Sequence, residues 1–299
     1  MGKLSKPKAL ISIALVVCLW GFMWPINKIA LQYTEPVLFA GMRALLAGVL
    51  LAVVLLPKKN KIQWKKNWSF YVISAIFNVV IFMGLQSFGI QYLPSGLYTV
   101  IVYLQPVLVT MLAWMWLKES LTAQKIIGIL LGFAGVIVVS FEGFTGNVSL
   151  LGVTLALITG IAWAIGTVYV KKTSKFVDGL WMVALQSIIG GAFLTVVGIY
   201  TENIGAIVWN IPYILCLLYG SILGVVVATS LYYMLMNVGE SAKVSAYTFL
   251  VPLIAVLTGT LFLKEPFTLS LLIGMLLIVF SIYLINKKSS KKVVSQALG

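Results

Sequence analysis

The feature that most limits this chain is a succession of ten apolar stretches, each close to the ~20 residues that an α-helix needs to cross a bilayer. They fall at roughly 9–27, 36–56, 69–90, 95–117, 123–141, 150–170, 179–200, 212–235, 241–263 and 268–286. The connections between them are short, which leaves no room for a separate soluble domain. Only 9% of the 299 residues are charged, against about 25% in an ordinary soluble protein. Water could not be the solvent of such a surface, so lipid must cover much of it. The expected fold is an all-α integral membrane protein of ten transmembrane helices.

The start resembles a signal peptide, with Lys3, Lys6 and Lys8 ahead of an apolar run from Ala9. That run continues through Trp20, Trp24 and Pro25 without a small-residue cleavage site, so it reads as an uncleaved first helix.

The net charge of +14 does not mark a nucleic-acid binder. The basic residues sit in short clusters between apolar runs, not in a patch interleaved with aromatics. With the N-terminus inside, 18 of the 21 basic residues fall on the inner side, as the positive-inside rule requires. Lys28 and Lys264 fall outside, and Arg43 lies within the second span. An even number of spans returns the Lys287–Lys292 tail to the cytoplasm. Trp64 and Trp68 flank a basic loop and read as interface anchors. Small residues recur every four positions at Ala40, Ala44 and Gly48, at Gly152, Ala156, Gly160 and Ala164, and at Gly220, Gly224 and Ala228. That spacing lets helices approach closely. Cys18 and Cys216 lie inside apolar runs and make neither a metal spacing nor a disulfide framework.

The chain also repeats itself. At a constant offset of 146, Leu104, Pro106, Leu117-Lys118-Glu119, Thr122 and Gly128 match Leu250, Pro252, Leu263-Lys264-Glu265, Thr268 and Gly274. Apolar composition explains the leucines. It does not explain a proline, a Lys-Glu pair, a threonine and a glycine in register. Earlier in each half the offset is 143, where Trp20, Lys28 and Gly48 match Trp163, Lys171 and Gly191. Residues 1–145 and 146–299 therefore read as two copies of one five-helix unit. Five is odd, so the second copy enters the membrane from the opposite side. Inverted repeats of this kind point to a secondary transporter, with its substrate site near the midplane between the halves.

Several stretches carry a family resemblance: Trp20-Gly21 with Lys28 eight residues after Trp20, Glu35 through Arg43 entering helix 2, Leu97 through Pro106 in helix 4, and the two Leu-Lys-Glu segments closing helices 4 and 9. Together with the duplication they resemble the EamA family of the drug/metabolite transporter superfamily over nearly the whole chain. The resemblance implies ten helices around a central cavity lined by helices 1–4 and 6–9, with helices 5 and 10 peripheral. It implies export of amino acids, related metabolites or toxic compounds, and it selects no substrate.

Arg43 is the leading candidate site residue. A charge in an apolar span costs at least ~2.5–3.5 kcal/mol, so it should face a cavity or a partner, unless it snorkels to the interface. A cavity arginine suits a carboxylate or a phosphate. Trp20, Trp24 and Asn27 share one face of helix 1, and Trp163 is the repeat partner of Trp20; aromatic walls with a few polar groups are typical of small-molecule sites. Asn78 and Gln86 share a face of helix 3, and Tyr98 and Gln105 a face of helix 4. Such groups must find partners, either a substrate or a neighbouring helix. Gln186, Tyr232 and Asn237 are similar cases. Pro106 and Pro252 should kink helices 4 and 9, as static bends or as hinges.

The chain has no histidine and no GxxxxGK[ST] loop, so ATP hydrolysis is not expected. All seven acidic residues fall in loops or at helix ends by these spans. Coupling through a midplane carboxylate is therefore not visible, and Glu119 and Glu265 are the coupling candidates. An intramembrane enzyme would need acid–base pairs, metals or nucleophiles at depth, and none is apparent. The reading is a secondary transporter exporting a small metabolite such as an amino acid by alternating access. Multidrug efflux, metabolite import and a non-transporting scaffold are the alternatives. No cofactor is implied. The expected partners are a small-molecule substrate and the lipid bilayer, with a homodimer allowed and nucleic acid excluded. The expected location is a bacterial cytoplasmic membrane, with both termini in the cytoplasm.

Overall fold

The computed structural model describes residues 6–142, 149–265 and 267–286. Lys3, the Lys287–Lys292 tail and the boundary at 145/146 lie outside them. The described residues form helices and no strands. The principal helices are α1 (Lys6–Ala30), α2 (Pro36–Leu55), α3 (Trp64–Gly89), α4 (Ser95–Leu117) and α5 (Ala123–Glu142), then α6 (Leu150–Thr173), α7 (Gly179–Thr201), α8 (Ile211–Val238), α9 (Ser241–Leu263) and α10 (Leu269–Asn286). Among the described residues, eight helices are long and apolar enough to cross a membrane; α5 and α10 are apolar over the shorter stretches Ala123–Gly135 and Leu269–Ile285.

Polarity is arranged inside out. Leu50, Val54, Leu130, Phe193, Leu261 and Leu276 are exposed, while Asn27, Arg43, Asn78, Gln86, Gln105 and Gln186 are buried. Lipid accepts the first set, and the second can satisfy its hydrogen bonds only within the bundle. Trp64 and Trp68 are about half exposed. They stand on the first turns of α3, which begins at Trp64 and not at 69. Gln63, in the left-handed region at φ 43, turns the chain into the helix there. Lys65 and Lys66 are good helix formers, so the helix extends beyond its apolar run.

Helices α2 and α7 lie backbone to backbone. A Cβ added at Gly48 would sit 2.7 Å from the Ile188 nitrogen, at Gly41 2.4 Å from that of Thr195, and at Gly191 2.4 Å from that of Leu45. Gly198 meets Leu38. The partner number falls as the position rises, so the two helices run antiparallel. Helices α5 and α10 do the same: Gly128 meets Ile285, Gly132 meets Ser281, and Gly135 meets the Gly274 carbonyl. The small-residue stripe of α2 is thus a packing contact; Gly160 of α6 meets the Val102 carbonyl, and Gly220 and Gly224 of α8 meet Arg43 and Met23. At one end of the α2–α7 pair, Glu202 accepts the Val37 and Leu38 amides at 2.9 and 2.7 Å and caps the first turn of α2, where the helix leaves donors unpaired.

Helices α4 and α9 are each broken at matched positions. The first runs Ser95–Val102 and restarts at Gln105–Leu117; the second runs Ser241–Tyr247, passes through a 3₁₀ turn at Thr248–Leu250 and restarts at Val251–Leu263. Pro106 and Pro252 open the restarted segments, where a missing N–H leaves no bond unmade. Both segments end in a lysine with left-handed backbone, Lys118 at φ 56 and Lys264 at φ 55. The Lys118 and Lys264 amides then bond back to the Ala113 and Gly259 carbonyls, a six-residue closure of the last turn, and the Glu119 and Glu265 amides reach the same carbonyls. The Leu-Lys-Glu repeat is therefore a helix stop that places a glutamate at a fixed point past the cap.

Candidate functional site

A central cavity lies between α1, α2, α3, α6, α7 and α8, with Tyr103 of α4 at its wall. Two lining helices carry π-helical stretches, Ile76–Ile81 in α3 and Tyr219–Thr229 in α8. The wider turn leaves carbonyls free and is common at functional sites. One is used: Trp20 Nε1 donates to the Gly224 carbonyl at 3.1 Å.

Arg43, from the middle of α2, lines the cavity and is 1% exposed, so it does not snorkel. Its Nη1 donates to Asn27 Oδ1 at 2.6 Å and its Nη2 to Gln86 Oε1 at 3.2 Å. The Phe39 ring lies 5.4 Å from the guanidinium carbon. No carboxylate among the described residues pairs with it; the ion pairs lie elsewhere. A guanidinium has five N–H donors, and Nε has no partner. Asn78 Oδ1 and Ser187 Oγ, from residues that also line the cavity, are likewise buried without a partner. Buried polar groups are normally satisfied, so this wall offers donors and acceptors to a guest.

The cavity also carries an aromatic cluster. Trp20 meets Trp163 edge-on at 5.1 Å and Tyr232 at 5.0 Å, while Trp163 also meets Phe82 at 4.9 Å and Tyr103 at 5.4 Å. These are ordinary ring separations. Trp24 sits against Tyr98 and Tyr103.

Of the residues singled out in the sequence, Trp20, Trp24, Arg43, Asn78, Gln86 and Trp163 line this cavity. Asn27 supports it through Arg43. Tyr98 and Gln105 do not share one helix face, because the break after Val102 separates them. Tyr98 instead joins helices, through the Leu85 carbonyl and Thr159 Oγ1, both at 2.9 Å. Gln105 is fully buried without a hydrogen-bond partner. Pro106 and Pro252 lie at the matched breaks. Gln186, also singled out in the sequence, enters the cavity wall as well; Ser187, Phe82, Tyr103 and Tyr233, which line it too, were not selected by sequence reasoning. The repeat held one signal, since Gln186 is the counterpart of Arg43 at offset 143.

Glu119 and Glu265 lie away from the cavity, in ion pairs with Lys171 at 2.9 Å and Lys28 at 3.0 Å. Burial pushes each carboxyl up, but bonds from Lys171 and Ser241, and from Ser95 and Lys28, outweigh it and hold both below the ordinary value. Among the described residues no cluster of His, Cys, Asp or Glu could hold a metal.

Comparison with known proteins gives the same picture. A model of the EamA-like transporter family matches residues 7–141 and again 150–287. The chain is 48% identical to "Uncharacterized transporter YvbV" of Bacillus subtilis (strain 168), over 97% of this chain and 95% of that protein. It is 26% identical to "Protein PecM" of Dickeya dadantii (strain 3937), over 94% and 95%. A crystal structure 16% identical in sequence shares the fold with a TM-score of 0.74, covering 98% of this chain and 99% of the other. With two family-matching halves on one multi-pass helical scaffold, the chain belongs to the EamA-like transporter family.

Proposed function

We propose that this protein is a ten-span secondary transporter that exports a small carboxylate-bearing metabolite, of the size of an amino acid, by alternating access. One observation carries the substrate's charge: Arg43 is buried at the cavity wall, held by two neutral amides, with no carboxylate among the described residues to neutralise it. A buried cation of this kind is costly unless it is paired, and a substrate carboxylate would complete it through the unused donors. The aromatic wall would take the apolar part of the same molecule. A lipophilic cation would meet a like charge instead.

The two halves are proposed as inverted repeats. The antiparallel packing of α2 on α7 and of α5 on α10 supports this, because each pair joins corresponding helices of the two copies. Helices α5 and α10 would complete the ten spans. The protein would sit in a cytoplasmic membrane with both termini inside, as the distribution of lysines favours. Export rests on the family resemblance. The breaks at Pro106 and Pro252 would serve as hinges. Glu119 and Glu265 are the coupling candidates, and their lysines would have to withdraw before either could bind a proton near neutral pH.

Thermal stabilisation of the purified protein by matched ligands tests the charge preference. Phenylalanine and 3-phenylpropionate carry the carboxylate, and phenethylamine lacks it. The carboxylates should raise Tm in the native protein and not in Arg43→Ala. Stabilisation by the amine alone would overturn the reading.

A further inference from the structure

Two ion-pair clusters stand at helix ends, and they are built alike. At one end Lys28 Nζ donates to Glu265 Oε1 and to the Leu93 carbonyl, both at 3.0 Å. The same glutamate accepts Ser95 N and Oγ, each at 2.7 Å, and Gly96 N at 3.2 Å. At the other end Lys171 Nζ donates to Glu119 Oε1 at 2.9 Å and to the Gly239 carbonyl at 2.7 Å. Glu119 Oε1 accepts Ser241 N at 3.1 Å and Oγ at 2.7 Å. The correspondence is residue by residue. Lys28 becomes Lys171 at offset 143, while Leu93, Ser95 and Glu119 become Gly239, Ser241 and Glu265 at offset 146.

Each cluster joins the halves: lysine and serine come from one copy, glutamate from the other. Their separation follows from α4 and α9. The first runs from Ser95 in one cluster to the cap before Glu119 in the other, and the second from Ser241 to the cap before Glu265. Each has 23 residues, so the clusters lie about 34 Å apart at ~1.5 Å per residue. The cavity sits between them, since Trp20 and Trp163 each precede their cluster's lysine by eight residues. Both α4 and α9 are broken midway, which lets one end of a helix move without the other.

We propose that these clusters are the two gates of the transport path, each a reciprocal latch that must release for the cavity to open at its own end. The latches differ in their bonds: both Glu265 oxygens accept, with Gly96 N among the donors, whereas Glu119 Oε2 is buried without a partner. They differ also in their surroundings. Glu240, beside Ser241, pairs with Lys125 of the first half and with Lys243. At the aligned positions of the other end stand Pro94 and Leu271, which form no such pair. The Glu119 end therefore keeps a second bridge when its latch is cut, and the Glu265 end does not.

A static pin would loosen the fold when cut, whereas a gate would change access from one side. The test places a reporter, Ser187→Cys, in the cavity of the full-length protein with Cys18→Ala and Cys216→Ala. Labelling by a membrane-impermeant maleimide is measured in right-side-out and inside-out vesicles. Glu265→Gln should speed labelling from the Glu265 side by about fivefold or more, as a population shift toward the open state would, and leave the other side unchanged. Glu119→Gln should act on the opposite side and more weakly, and adding Glu240→Gln should enlarge its effect. Lys28→Gln and Lys171→Gln, which keep the serine bonds, should move the same sides by smaller factors and serve if a glutamate variant does not fold. Equal effects on both sides, or none in any folded variant, would overturn the proposal. The inference rests on the transporter reading, but labelling needs no substrate, so a failed gate and a failed uptake assay are told apart.

Discussion

The helix ends and the cavity walls diverge differently between the two halves. At the ends, Lys28, Ser95 and Glu119 are repeated as Lys171, Ser241 and Glu265, with the same bonds. In the cavity, Arg43 faces Asn27 and Gln86 in the first half, and the corresponding residues of the second half are Gln186, Val170 and Tyr232. Trp20 and Trp163, which meet each other, and Val79 and Val225 keep their identity there. The contacts that join the halves tolerate symmetry because each half uses the other in the same way. A small substrate is not symmetric, and a charged group and an aromatic cluster in one cavity can orient it.

The largest effect should come from attacking the asymmetric site. Arg43→Ala should lower transport by about 100-fold, because truncating one member of a buried charged network costs about 2–5 kcal/mol. Uptake and the Tm of the purified variant are measured together, since Asn27 and Gln86 lose their partner as well. The exchange Arg43→Gln with Gln186→Arg should not restore transport, because Val170 and Tyr232 cannot hold a guanidinium as the two amides do. Full activity in the exchanged protein would break the contrast between ends and cavity.

The helix seams come next. Gly191→Ala would drive a Cβ into the Leu45 backbone and should destabilise by about 1–3 kcal/mol. Gly179→Ala, whose Cβ would have nothing nearer than Asn237 at 3.6 Å, should stay within about 0.5 kcal/mol. Denaturation in detergent separates the two. Pro106→Ala with Pro252→Ala should slow turnover several-fold while leaving ligand-induced stabilisation intact; normal turnover would remove the hinges from the account. The smallest change is expected at the left-handed caps, where Lys118→Gly and Lys264→Gly should each stabilise by about 0.5 kcal/mol.

The latches also carry a pH expectation. A carboxyl whose pKa is lowered by folding stabilises above its ordinary value of about 4.3, and that contribution is lost as pH falls through the lowered one. Glu119 and Glu265 should therefore hold their latches from about pH 5 to about pH 8. Labelling of the Ser187→Cys reporter across that range, with Glu119 and Glu265 intact, should show no carboxylate-like step.

Much of this was readable in the sequence because membrane depth makes polar residues conspicuous. Arg43 stands alone in an apolar run, and the Leu-Lys-Glu copies survive in register. Lys28 and Lys264, the neighbour of Glu265, fall on the outer side by the sequence, but 237 positions separate Lys28 from Glu265, and nothing local says that they touch. Phe82 and Tyr103 look like any aromatic in an apolar helix until the fold turns them inward. The π-helical stretches of α3 and α8 have no marker residue, since their wider turns follow from packing around the cavity. The break in α4 was signalled by Pro106, but its consequence for Tyr98 and Gln105 depended on where the helix restarts.

The central claim is that Arg43 marks the path of a transported carboxylate. Counterflow in proteoliposomes tests it most directly, with labelled amino acids, organic acids and lipophilic cations run in parallel on the native protein and Arg43→Ala. The account predicts saturable uptake of a carboxylate-bearing class, lost in a variant that still folds. Uptake confined to the cations, or carboxylate uptake that survives in Arg43→Ala, would contradict it.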